Sequence, residues 1–227
     1  RISDPYQIGY SPDKKWFASA SNRLDRVDIY HAADFTLAKR IPLPKVPSHL
    51  AFNRDSSLVF FTLQESDEIA AISLKTFEVL WKHKVGHQPA GIWMTPDDKH
   101  LLVAITGEDY VEIVDWRAPK SVQKLKTGKG AHNFQAMGDG RRLLLSNRME
   151  NTVSILDMQT LQVLEKFRVP GGPDDMELTR DGKELWVTSR WIKQVQVVDM
   201  ATKTIKHSIP VGRSPHGIYF PTHAPRQ

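Results

Sequence analysis

The sequence contains no cysteine, and this absence excludes several kinds of site. Without thiols the chain has no disulfide bond, no cysteine-ligated zinc, no iron–sulfur cluster and no thiol nucleophile. It also lacks an apolar run of the roughly 18 residues that a membrane-spanning helix needs. Its first residues show no signal-peptide pattern. We therefore expect no transmembrane segment.

Charge of one sign is not concentrated in any part of the chain. The 31 basic and 26 acidic residues leave a formal net charge of +5 over 227 residues. Their even spread favours a solvated surface over a nucleic-acid-binding face, so no nucleic acid partner is expected. No phosphate-binding loop, dinucleotide fingerprint or Gly-x-Ser-x-Gly motif is present. These missing motifs favour a protein that is not an enzyme, without deciding the question.

What the sequence does contain is a repeat of 42 residues without insertions. The first residues of the repeats are, in chain order, Pro5, Pro47, Pro89, Ala131, Pro173 and Pro215. A second series of turn aspartates has the same spacing and consists of Asp13, Asp55, Asp97, Asp139 and Asp181. We expect each of these carboxylates to close its own backbone turn.

Each repeat predicts four short strands. The copy from 173 to 214 is the most complete, with an inner strand, the runs Glu184 to Thr188 and Gln194 to Asp199, and an outer strand. Four short strands in a period of this length are typical of one β-propeller blade. We therefore predict an all-β chain, a β-propeller of four-stranded antiparallel blades in a single domain, 1–227. The five full repeats are 5–46, 47–88, 89–130, 131–172 and 173–214.

The partial sixth repeat, 215–227, contains only one strand-like run, Pro215 to Phe220. A lone sixth inner strand leaves a blade with unpaired sheet edges, which propellers normally close by pairing the two ends of the chain. We expect residues preceding Arg1 in the natural protein to supply the other strands of that blade. A ring of six or seven blades follows, and a ring of five with a displaced strand is the alternative.

The repeat also carries a family resemblance. From Pro89 to Val103 the inner strand, the first turn and the second strand read Pro-x-Gly-Ile-x-x-x-Pro-Asp-x-x-x-Leu-x-Val. The third strand reads Asn-Thr-Val-Ser-Ile-x-Asp from Asn151 to Asp157, and the end of a repeat reads Val-Gly-x-x-Pro from Val211 to Pro215. This pattern resembles the YVTN-type β-propeller repeat family, which is similar to the haem d1 domain of cytochrome cd1 nitrite reductase and to lactonase-like propellers. The resemblance implies an exported protein, periplasmic or at the cell surface.

Histidines concentrate in the loops that lead into the inner strands, where a propeller's channel opens. His49, His87, His132 and His216 lie there, and Asp174 occupies the repeat position of the last two. Neutral imidazoles from separate blades can ligate a metal or a haem iron, or transfer protons. The alternative is that each histidine bonds only to its own turn. The best metal candidates are His132 and His216.

Arginines mark the same channel mouth from the loops between second and third strands. Arg148 and Arg190 occupy equivalent positions, with Arg213 near them and Trp191 as an exposed aromatic candidate for stacking. Paired guanidinium donors suit a carboxylate or phosphate ligand. A structural charge network with the acidic residues of other loops is the alternative.

Two functions follow from these residues. The first is a binding scaffold that recognises a protein or small-molecule partner at the channel mouth, with no cofactor expected. The second is a redox or maturation protein that uses haem or a divalent metal, as in cytochrome d1-like proteins, or a lactonase.

Overall fold

The computed structural model describes residues 4–225 and confirms the all-β prediction. Twenty strands form five four-stranded antiparallel sheets, each with its strands in sequence order. The first sheet contains β1 (Gln7–Tyr10), β2 (Trp16–Ser21), β3 (Arg26–His31) and β4 (Leu37–Pro42). The second contains β5 (Pro47–Phe52), β6 (Leu58–Leu63), β7 (Glu68–Ser73) and β8 (Val79–Lys84).

The remaining three sheets repeat this pattern. The third contains β9 (Pro89–Met94), β10 (His100–Ile105), β11 (Tyr110–Asp115) and β12 (Lys120–Lys126). The fourth contains β13 (Ala131–Ala136), β14 (Arg142–Asn147), β15 (Thr152–Asp157) and β16 (Gln162–Arg168). The fifth contains β17 (Pro173–Leu178), β18 (Glu184–Ser189), β19 (Gln194–Asp199) and β20 (Thr204–Pro210). Two single-turn 3-10 helices, Asn22–Leu24 and Arg190–Ile192, connect second and third strands.

The turn aspartates act as the sequence predicts. Asp13 Oδ1 accepts hydrogen bonds from the Ser11 hydroxyl at 2.7 Å and from the Lys15 backbone N–H at 3.1 Å. Asp181 repeats this arrangement with Thr179 and Lys183 at 2.8 and 3.1 Å. A short acceptor that bonds to the backbone two residues on holds the first and second strands together as a hairpin.

Burial follows the position of a strand within its sheet. Second and third strands such as β10 and β15 are almost completely buried, whereas the fourth strands β12, β16 and β20 are mostly exposed, and each carries at least one lysine. Charged side chains on an exposed edge oppose pairing with another chain.

The described chain forms two compact units. The first contains the chain up to Ile105 together with Glu112–Gln123, and the second contains Thr106–Val111 and the chain from Lys124. Each unit has its own apolar core. Phe61, Leu63 and Ile72 are buried in the first, and Leu144, Leu178 and Val187 in the second. The boundary runs through the third sheet, and the single domain remains a prediction.

The predicted sixth inner strand is not formed. Residues 215–220 have no strand structure, and the following segment makes only an isolated bridge between His223 and Thr179. A β-strand needs a hydrogen-bonded neighbour, and the described residues offer this segment no second strand of its own sheet. It lies instead against the fifth sheet, where the Phe220 ring meets Trp186 edge-on at 5.3 Å and Ala224 N–H bonds to the Leu178 carbonyl at 3.0 Å.

Within residues 4–225, none of the helices has the length and apolar character needed to cross a bilayer.

Candidate functional site

Three side chains from one repeat position come together in the second unit. His132, Asp174 and His216 are each the second residue of a repeat, and their ligand-type nitrogen and oxygen atoms all lie within 4.8 Å of one another. His132 and Asp174 are buried, whereas His216 is partly exposed. We call these three residues the His–Asp–His cluster.

A β-bulge at the start of the inner strands β13 and β17 places the first two members. In the fifth sheet Pro173 pairs with Ser189 and Met176 with Val187, so residues 174 and 175 both oppose Thr188. The fourth sheet has the same shift, because residues 132 and 133 both oppose Ser146. A bulge of two residues against one redirects side chains that a regular strand would alternate.

Hydroxyl groups satisfy the backbone at these bulges. The Asp175 N–H donates to Thr188 Oγ1 at 3.0 Å, and the Asn133 N–H donates to Ser146 Oγ at 3.1 Å. Ser146 Oγ donates in turn to the Asp174 carbonyl at 2.9 Å, which ties the fourth sheet to the fifth. A buried backbone group therefore keeps a partner although the ladder is interrupted.

The arginine-bearing loops are held against glycines that precede the inner strands. Gly130 and Gly172 occupy the same repeat position with φ of 73° and 70°, and their carbonyls accept from the backbone N–H groups of Arg148 and Arg190 at 2.9 and 3.2 Å. A Cβ at Gly130 would lie 2.8 Å from Met149 Cγ. The Met149 side chain therefore lies directly on this glycine.

Both arginines point to the Asp174 carboxylate. Arg190 Nη1 lies 3.1 Å from Asp174 Oδ2, and Arg148 Nε lies 3.7 Å from Oδ1. Arg190 also donates from Nε and Nη2 to the Ser214 hydroxyl at 3.0 and 2.8 Å. Arg148 and Arg190 thus form a charge network with Asp174, which is not one of the loop residues expected as acidic partners.

The buried Asp174 carboxylate is ionised. Burial alone would raise its pKa, but contacts with His132, Arg148 and His216 outweigh burial and hold the pKa well below its usual range. His132 Nε2 is the nearest nitrogen among these partners, 2.8 Å from Asp174 Oδ1. A fully buried charge is tolerated only when such partners surround it.

The pKa values of the two histidines of the cluster are shifted in opposite directions. Burial lowers the pKa of His132 and outweighs the opposing effect of Asp174, so this ring is neutral. His216 Nδ1 lies 3.0 Å from Asp175 Oδ2, and this hydrogen bond raises the pKa of His216 despite partial burial. The Asn133 side-chain amide donates to Asp175 Oδ1 and fixes that carboxylate.

The other sequence candidates are not members of the His–Asp–His cluster. His49 is buried in the first unit, with Nδ1 at 3.1 Å from Ser48 Oγ and its ring edge-on to Tyr6. His87 in the same unit is exposed, with Nδ1 at 3.2 Å from Asp67 Oδ1. Arg213 is exposed in the loop after β20.

The exposed aromatic candidate lies on the second glycine. Trp191 is 51% exposed, and a Cβ at Gly172 would lie 2.5 Å from its Cδ2. One face of the indole is therefore held by the backbone while the remainder is open to solvent.

Sequence reasoning missed Asp175 and Asn133, which support the cluster. A signal was present, since both occupy the third repeat position, the one that His49 holds in the second repeat. The bulge that turns this position toward the second position leaves no trace in the hydrophobic pattern.

Comparisons with known proteins agree with the predicted fold. A family model described as a YNCE-like beta-propeller matches residues 1–226. Hydrazine synthase of Kuenenia stuttgartiensis has a TM-score of 0.82 at 19% identity, covering 94% of this chain and 68% of that one. A functionally unknown protein from Desulfotomaculum acetoxidans has a TM-score of 0.80 at 14% identity, covering 96% and 75%. No curated protein gives a significant match. Identities this low show the fold alone, and they confirm the resemblance to propeller repeats.

Proposed function

The chain belongs to the YNCE-like beta-propeller family, and from this premise we propose that it is a binding scaffold for ligands that carry a carboxylate or phosphate beside a flat apolar group. The binding surface consists of Arg148, Met149, Arg190 and Trp191, which we call the arginine–tryptophan surface. A shared fold does not carry a function, so the proposal rests on these side chains.

The observation that carries the proposal is the convergence of two guanidinium groups on one carboxylate. Arg148 and Arg190 bring two positive charges to Asp174, which supplies one negative charge, while Asp175 is engaged by His216. Each guanidinium has five N–H donors, more than these contacts use. Both side chains are partly exposed, so an incoming anion gains charge-assisted hydrogen bonds without first being buried.

Apolar side chains border this charge. Met149 and Trp191 directly follow the two arginines and are 63% and 51% exposed. Each lies on a glycine, so its position is fixed by the backbone beneath it. A rigid exposed indole beside a cation suits an aromatic group that also bears an acid. An acidic residue next to an aromatic one in a protein partner offers the same chemistry.

Phenyl phosphate is a suitable probe, with benzyl alcohol as its neutral counterpart. We expect saturable binding of phenyl phosphate by titration calorimetry and none of the alcohol. Arg148→Gln and Arg190→Gln each remove charge-assisted hydrogen bonds worth roughly 1.5–3 kcal/mol, so each weakens binding by about 10- to 100-fold.

The matched control is Arg180→Gln, an exposed arginine of the same unit in the turn between β17 and β18. It leaves binding unchanged. Equal affinity for both probes, or equal losses in all three variants, contradicts the proposal.

Export to the periplasm or cell surface is also proposed, and its support is the family resemblance alone. Fractionation of cells that express the natural protein tests it, and recovery from the cytoplasm argues against it. Haem-dependent redox activity and lactonase activity stay predictions. A protein that remains colourless after incubation with haem argues against haem-dependent redox activity.

A further inference from the structure

We propose that the His–Asp–His cluster is a site for a divalent transition-metal ion such as Zn²⁺, with Nε2 of His132, Nε2 of His216 and one Asp174 oxygen as ligands. This site is separate from the arginine–tryptophan surface in its chemistry, and it goes beyond the proposed ligand binding. Imidazole and carboxylate are ligands that Zn²⁺ takes in proteins.

The cluster is close to the required size. Its ligand atoms lie within 4.8 Å of one another. Tetrahedral zinc with bonds of about 2.0–2.2 Å holds its ligand atoms about 3.3–3.6 Å apart. Both Nε2 atoms already face the Asp174 carboxylate, at 2.8 Å for His132 and 3.9 Å for His216. A separation of 4.8 Å therefore has to shorten by about 1.2–1.5 Å, and the 2.8 Å contact between His132 and Asp174 has to lengthen by about 0.5–0.8 Å.

His216 has the outer partner that zinc-binding histidines have. A ligating imidazole usually donates its other N–H to a carboxylate, which sets the tautomer and the ring orientation. His216 Nδ1 lies 3.0 Å from Asp175 Oδ2, on the side of the ring opposite the cluster. The side-chain amide of Asn133 in turn holds Asp175.

His132 has a partner for the same tautomer. Thr106 Oγ1 lies 3.4 Å from His132 Nδ1, and its hydroxyl hydrogen is directed to the Ala131 carbonyl at 2.8 Å. Arg148 Nη1, which only donates, also lies 3.4 Å from Nδ1. Once this guanidinium moves away, the hydroxyl oxygen accepts a hydrogen bond from Nδ1–H while Nε2 binds a metal.

The arginines set the competition for Asp174. Arg190 Nη1 at 3.1 Å and Arg148 Nε at 3.7 Å balance the carboxylate without a metal. An incoming cation competes with these two guanidinium charges for Asp174. Removal of either arginine charge therefore leaves metal binding as tight as before or makes it tighter. Three protein ligands also leave a fourth position for water, as in zinc sites that are not purely structural.

Titration calorimetry of the whole chain with ZnSO₄, after dialysis against a chelator, tests the site. We expect one bound equivalent. His216→Ala and His132→Ala each weaken binding by at least about 100-fold, and Asp175→Asn, which removes only the outer partner, weakens it by about 10- to 100-fold. Co²⁺ in place of Zn²⁺ gives the visible absorption of a low-coordinate site, and this absorption is lost in the same variants.

The matched control is His87→Ala, an exposed histidine outside the cluster. Its affinity for Zn²⁺ equals that of the unaltered chain. Circular dichroism checks folding. If His132→Ala unfolds, the partly exposed His216 carries the test. Binding that is absent in the unaltered chain, that survives in His216→Ala, or that is lost in His87→Ala overturns the proposal.

Arg190→Gln separates this site from the ligand surface. We expect this variant to bind phenyl phosphate more weakly and Zn²⁺ as tightly or more tightly than the unaltered chain. Weaker Zn²⁺ binding in Arg190→Gln contradicts the metal site, whatever happens to phenyl phosphate.

Discussion

At the scale of single residues, Asp157 shows how one carboxylate supports two elements. Its Oδ2 accepts from Arg141 Nε and Nη2 at 2.8 and 2.6 Å, and its Oδ1 accepts from the backbone N–H groups of Gln159 and Thr160 at 2.8 and 3.0 Å. The Arg141 hydrogen bonds are the main cause that lowers the pKa of Asp157 from 3.8 to about 2. The residue therefore caps a turn and holds a neighbouring strand.

Asp157→Asn tests the charge separately from the turn, because an amide oxygen still accepts from the backbone. A lowered carboxyl pKa stabilises the fold above pH 3.8, and this stability is lost as the pH falls through about 2. Since Arg141 is largely exposed, solvent reduces the effect, and we expect a loss of about 1 kcal/mol at neutral pH. Urea unfolding at neutral pH and near pH 2 measures it, and the difference shrinks at the acid end.

Asp199 supplies the control for this prediction. It holds the same repeat position and accepts from the backbone N–H groups of Ala201 and Thr202, with no arginine bonded to its carboxylate among the contacts described. Asp199→Asn therefore costs less than Asp157→Asn. Equal losses, or a loss in Asp157→Asn that persists at pH 2, would show that the Arg141 charge contributes nothing.

At the scale of elements, the single-turn helix Arg190–Ile192 is positioned by the close approach of its side chains to Gly171 and Gly172. A Cβ on Gly172 would lie 2.5 Å from the Trp191 ring, and one on Gly171 would lie 2.4 Å from the Ile192 side chain. Both glycines also have positive φ, of 90° and 70°. The loop and the strand that follows these glycines therefore fit together only when residues 171 and 172 have no Cβ.

Gly172→Ala and Gly182→Ala separate the two requirements. Gly182 has nearly the same φ, 69°, but nothing within 4 Å of its would-be Cβ. Both variants lose about 1–2 kcal/mol of stability from the left-handed conformation. Only Gly172→Ala displaces the indole, so only it changes the near-ultraviolet circular dichroism and weakens phenyl phosphate binding. The same spectrum in both variants would show that Trp191 does not depend on this glycine.

The sequence predicts most elements but not their irregularities. The series from Pro5 and from Asp13 predicts every sheet, because each proline and turn aspartate has a fixed local role. It also aligns positions 132, 174 and 216. The bulge that turns Asp175 toward His216 depends on the pairing register, which the residues at 174 and 175 do not reveal. Residues 215–220 do not form the strand predicted from Pro215, because a strand depends on a hydrogen-bonded partner as well as on composition.

At the scale of the whole molecule, the two edge strands of one sheet differ in how far they are buried. Both β17 and β20 are edge strands of the fifth sheet, yet β17 is mostly buried and β20 mostly exposed. The fourth sheet shows the same contrast between β13 and β16. Backbone amide groups exchange their protons first where their hydrogen bonds open easily to solvent.

Amide hydrogen exchange measured by mass spectrometry tests this contrast along the chain. We expect peptides from β16 and β20 to exchange first, those from β13 and β17 later, and those from the central strands β14, β15, β18 and β19 last. Matching rates for β17 and β20 would show that pairing alone, and not burial, sets the protection.

The hydroxyl-supported bulges also bear on how such a chain diversifies. Positions 48–49, 132–133 and 174–175 carry Ser-His, His-Asn and Asp-Asp on the same backbone, and in each the second residue's N–H bonds to a hydroxyl of the next strand. The backbone there does not depend on which pair it carries. The side chains at these positions can therefore differ without a change of backbone, as long as a buried charge such as that of Asp174 keeps the partners that surround it.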